Sequence, residues 1–132
     1  MRARGTFAVK VLPAEAPAQA KDAGLGLFSL DKSFSGELEG TSKGEMLTGS
    51  TDSTGAMAYV AIERVTGKIN GRSGSFLLAH NASMLKSDPS SAVMQVAVVP
   101  HSGTDELAGL NGTMIIVIEG NTHTYEFEYQ LP

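Results

Sequence analysis

Apolar and polar residues alternate with a period of two along most of this chain, and glycine, asparagine and proline break the alternation at short intervals. A strand points successive side chains to opposite faces, so this pattern restricts the chain to antiparallel sheets with one dry and one wet face. Eight runs read as strands: Gly5 to Leu12, Leu25 to Phe34, Leu38 to Thr48, Ala58 to Ile69, Arg72 to His80, Met94 to Val99, Thr113 to Glu119 and Thr122 to Leu131. Pro13 to Ala23 carries two prolines and many alanines and reads as a mobile surface insertion. The 132 residues suffice for one buried core, so a single domain over residues 1–132 is expected.

Two turns set register. Asn70-Gly71 is a two-residue hairpin signal that pairs Ile69 with Arg72, Val65 with Phe76, Glu63 with Leu78 and Ala61 with His80, with Tyr59 on the same face. Gly120-Asn121 has the glycine-first order of a type II′ turn and pairs Ile118 with His123, which turns Met114, Ile116, Tyr125, Phe127 and Tyr129 inward. A three-residue loop at Ser35-Gly36-Glu37 would put Phe28, Leu30, Lys32, Phe34, Leu38, Gly40, Ser42, Gly44 and Met46 inside. The inward row Gly40, Ser42, Gly44 implies either unfilled volume or a strongly curved strand. Both suit an all-β fold: a closed antiparallel β-barrel of about eight strands, just wide enough for a small ligand.

Composition removes several functions. Net charge is −4 and aromatic residues make up 6% of the chain, which leaves no electrostatic footprint or stacking platform for nucleic acid. Cysteine is absent, so thiol catalysis and thiolate metal sites are excluded. No stretch approaches membrane-spanning length and no signal-peptide pattern follows Met1, so a cytoplasmic location without membrane partners is expected. His80, His101 and His123 form neither an H-x-H pair nor an H-E-x-x-H helix, and no phosphate-loop or dinucleotide glycine pattern occurs; no metal and no cofactor are expected.

Several segments together resemble the bacterial family known as domain of unknown function 3224: Ala3 to Phe7, Leu30 to Phe34, Gly40 to Leu47, Tyr59 to Gly67, Gly71 to Phe76 and Ser102 to Gly112. The resemblance implies a barrel similar to that of allene oxide cyclases and plant dirigent proteins, whose glycine-rich segment ends in G-x-x-G before a late strand. Gly109-Leu110-Asn111-Gly112 fits that pattern, with Asp105 where such segments often carry a second glycine. The family carries no established activity and supplies no catalytic residue. The wider resemblance implies apolar small-molecule cavities and homo-oligomers.

The residues themselves place polar groups on an otherwise apolar inner face: Lys32, Tyr59, Glu63, His80, His123, Tyr125 and Tyr129. A buried carboxylate needs a partner, a raised pKa or water. Glu63 and His80, diagonal neighbours, would form a base and acid pair with Tyr59 polarising an oxygen, or Glu63 would simply pair with Lys32 as a satisfied core group. Three functions follow. The first is a barrel binding an apolar small molecule, with Lys32, Gly40, Ser42, Phe76, His123, Tyr125 and Tyr129 as candidate contacts. The second is a cofactor-independent isomerase, cyclase or lyase with Glu63, His80 and Tyr59 as catalytic residues. The third is a structural homo-oligomer with a filled barrel. Ile115 and Val117, beside Val60 and Ile62 on the outer face, are expected at a subunit contact.

Overall fold

A computed structural model describes residues 1–132. Strands β1 (Arg2–Pro13), β2 (Gly26–Gly36), β3 (Leu38–Thr51), β4 (Ala56–Ile69), β5 (Arg72–Leu85), β6 (Asp88–Val98), β7 (Asn111–Glu119) and β8 (Thr122–Gln130) follow one another around a closed barrel. Every neighbouring pair is antiparallel, and β1 closes on β8. That closure leaves neither β1 nor β8 as an edge strand. On its outer surface Arg2 and Arg4 stand opposite Glu128 and Glu126, in ion pairs of 2.7 and 2.9 Å.

The Asn70-Gly71 and Gly120-Asn121 registers occur as the turn chemistry requires, including Glu63 opposite Leu78, Ala61 opposite His80 and Ile118 opposite His123. Asn70 and Gly71 both have positive φ, 47° and 86°, as a type I′ turn demands.

The β2–β3 connection differs from expectation. Phe34 pairs with Gly40 rather than Leu38, so Ser35 to Glu39 span the corner instead of a three-residue loop. Because the shift is an even number of residues, every side chain keeps its face. Its cause is the Tyr125 hydroxyl, which enters the corner, accepts the Leu38 N–H at 3.0 Å, and lies 2.8 Å and 3.0 Å from the carbonyl oxygens of Leu38 and Ser35.

Other boundaries also move. The β5–β6 hairpin runs five residues further than His80 on one strand and begins at Asp88 on the other. The insertion after β1 contains a short helix, α1 (Ala18–Asp22), where alanine favours the helix and Gly24, at φ 73°, ends it. Ala16 just before it is buried. Ile115 and Val117 do not adjoin Val60 and Ile62: they lie on β7 and β4, and half-exposed Ala79 of β5 and Ala97 of β6 join Ile62 to Thr113 across the sheet.

One end of the barrel is plugged. Between β6 and β7 the chain makes a 3-10 turn at Asp105–Leu107, preceded by Thr104. Its Leu107, with the following Leu110, is buried against Leu38, Ile69, Phe76, Phe127 and Tyr129 in one apolar cluster. The Thr104 side chain does not cap the turn; it accepts the Ser75 N–H at 3.0 Å and so ties the plug to β5. Asp105 has φ 52°, the left-handed region that favours glycine.

Candidate functional site

Above the apolar plug, the barrel interior holds a layer of charge. Strands β2, β3, β4 and β5 turn Lys32, Ser42, Glu63 and His80 inward, and all four are buried. Lys32 Nζ donates to Glu63 Oε2 at 2.8 Å, Ser42 Oγ donates to Glu63 Oε1 at 2.8 Å, and His80 Nε2 lies 2.8 Å from Glu63 Oε2. Lys32 Nζ also sits 5.0 Å from the centre of the Phe7 ring, within cation–π range. Tyr59 completes the chain: its hydroxyl is 3.3 Å from His80 Nδ1, and the two rings meet edge to face. No buried side-chain nitrogen or oxygen lacks a partner.

Burial pushes the Glu63 carboxyl up, but hydrogen bonds from His80, Lys32 and Ser42 and the charge of Lys32 outweigh it and hold the pKa at about 2. Glu63 is therefore a carboxylate held by three partners, Lys32, Ser42 and His80, and poorly suited to accept a proton. Burial and the nearby Glu63 charge raise the Tyr59 phenol, which keeps it protonated and able to donate.

The glycines of the row Gly40, Ser42, Gly44 leave no room for a side chain. A Cβ on Gly44 would lie 2.2 Å from the Ile62 carbonyl oxygen and 2.7 Å from Glu63 Cα, and one on Gly40 would lie 2.2 Å from the Thr66 carbonyl oxygen. These glycines let β4 approach closely enough for Glu63 to reach Ser42 and Lys32. The glycines thus do not leave unfilled volume, as one expectation from the sequence had it: the neighbouring backbone occupies the space their side chains would take.

The open volume is at the opposite end from the plug. There β3 to β6 run past the ends of β2 and β7, and a cavity of about 280 Å³ lies against β4, β5 and β6. Its inward-facing lining is Met57, Tyr59, Ala82, Met84, Ala92 and Met94, with Tyr59 the one polar group among them. The exposure of these methionines, 41% at Met57 and 43% at Met94, depends on where neighbouring strands stop. His123 is half-buried, 5.1 Å from the Phe7 ring, next to the β7–β8 turn. Phe76, Tyr125 and Tyr129 are placed elsewhere, in the packed core. Tyr59, Glu63, His80, Lys32 and Ser42 thus come together, whereas the other three aromatic candidates do not join them.

No group of three or more histidine, aspartate and glutamate side chains is arranged to hold a metal ion. No helix is long and apolar enough to cross a membrane.

The family model described as protein of unknown function (DUF3224) matches residues 3–129. A crystal structure of a protein of unknown function from the same family, from Shewanella oneidensis MR-1, is similar over 100% of this chain and 98% of that one, with 46% identity and a TM-score of 0.88. No curated protein matches the chain.

Proposed function

The chain belongs to the DUF3224 family of proteins of unknown function, and for this member we propose a binding barrel that takes an apolar small molecule into its open mouth. The observation that carries this reading is the cavity of about 280 Å³ walled by Met57, Met84 and Met94. Flexible, polarisable thioethers adapt to ligands of different shape, and leaving Met57 and Met94 open to water, with Met84 half-buried beside them, has no packing benefit. The plug and the charged layer give the mouth a rigid floor. In this reading the protein works in the cytoplasm and needs no cofactor.

The isomerase, cyclase or lyase alternative draws on Tyr59 as proton donor, with His80 to relay the proton and Glu63 to orient His80. The ion pair with Lys32 counts against Glu63 itself as the base. Self-association has separate support. Val60 and Ile62 on β4, and Ile115 and Val117 on β7, are exposed on the outer wall as two separate apolar pairs, each suited to a second copy of the chain.

Native mass spectrometry on protein isolated from its own host, beside the same sample denatured, tests the binding reading. A small molecule carried only by the native protein, and lost in a Met94→Arg variant of normal fold, is the expected result. The proposal falls if no molecule is carried under several growth conditions and the apolar probe 1-anilinonaphthalene-8-sulfonate is bound equally by wild type and Met94→Arg.

A further inference from the structure

The hydrogen-bond polarity at the cavity floor follows from the charged layer beneath it. Glu63 is ionised and can only accept, so the His80 Nε2 that lies 2.8 Å from its Oε2 must carry a proton. A neutral His80 then has its lone pair on Nδ1, which faces the Tyr59 hydroxyl at 3.3 Å. Tyr59 satisfies that lone pair by donating its only hydroxyl proton to it. What remains for a ligand is the Tyr59 oxygen as an acceptor, the one inward polar group of an apolar cavity.

Resting on the binding reading above, we propose that the mouth selects apolar molecules that end in a hydrogen-bond donor, an alcohol or phenol, and seats that O–H on the Tyr59 oxygen. Ketones, aldehydes and ethers of the same shape offer only lone pairs, which would face the Tyr59 lone pairs. The preference has a built-in condition. When His80 also carries a proton on Nδ1, that N–H donates to the Tyr59 oxygen and the phenol proton is released toward the cavity, which then favours acceptors. The groups facing His80 are Glu63 and Tyr59 from β4 and, through the shared carboxylate, Lys32 from β2 and Ser42 from β3; β6 presents only Val96 opposite it.

The matched probes 4-phenylbutan-2-ol and 4-phenylbutan-2-one test this by calorimetry. At pH 8.5 the alcohol should bind about fivefold tighter, the worth of one hydrogen bond. Tyr59→Phe should bring the ratio near one. Equal binding of the two probes at pH 8.5, or a ratio unchanged in Tyr59→Phe, overturns the ligand class while leaving the binding barrel in place. Failure of both probes to bind overturns both readings. Independently of any ligand, ¹⁵N NMR of His80 at pH 8.5, assigned with His80→Gln, should show the proton on Nε2; a proton on Nδ1 would sink the proposal.

Discussion

Lys32 and Glu63 are joined by a 2.8 Å ion pair inside the barrel, with side chains 6% and 0% exposed. Its carboxylate also gathers Ser42 and His80, so four strands meet at one group. Breaking one side of such a pair strands a buried charge. Lys32→Met is therefore expected to destabilise the protein by about 3–5 kcal/mol in urea unfolding. The double variant Lys32→Met, Glu63→Leu should recover most of that loss, because it leaves no charge without a partner.

Acid should unfold the protein through the same carboxylate. Glu63 titrates at about 2 when folded against 4.5 ordinarily, so its folded state releases the proton more readily than the unfolded one. The resulting stability is complete above pH 4.5 and is lost as pH falls toward 2. It should amount to about 3 kcal/mol. Stability measured from pH 6 to pH 2 should drop more steeply in wild type than in Glu63→Gln.

Tyr125→Phe should destabilise the chain without touching the mouth. Removing the hydroxyl takes the partner from the buried Leu38 N–H, at a cost of about 1–3 kcal/mol. Calorimetric melting should show the loss, and binding of an apolar probe at the mouth should be unchanged. A stability equal to wild type would mean that the β2–β3 corner holds without the hydroxyl.

The outer wall should respond to charge. With Ile62 57% exposed and Val60 56% exposed, an Ile62→Glu change costs no core packing. Light scattering should show a multimer in wild type and a smaller species in the variant. A wild-type monomer at micromolar concentration would remove the subunit contact.

The seam between β6 and β7 should open first. These strands register at one pair, Ala97 opposite Thr113, whereas β4 and β5 register from Ala56 opposite Leu85 to Ile69 opposite Arg72. Hydrogen exchange should be fastest along this seam. Uniform protection around the barrel would count against it.

The features legible from residue order alone are those that rest on local chemistry. Alternation fixed which residues face inward, and Asn70-Gly71 and Gly120-Asn121 fixed the registers of two hairpins, because a two-residue turn admits one pairing. Those rules were enough to bring Glu63 beside His80 and to put Lys32 and Tyr59 on the same inner surface. Tertiary structure decided what depends on distance across the barrel. The β2–β3 corner took its shape from Tyr125, some ninety residues away in sequence. Lys32, rather than water, became the partner of Glu63 because β3, narrowed by Gly40 and Gly44, lets β2 and β4 close on one another around Ser42. The mouth, too, arose from unequal strand lengths: Met57, Met84 and Met94 obey the same alternation as the core, and only the place where neighbouring strands end leaves them open to a ligand.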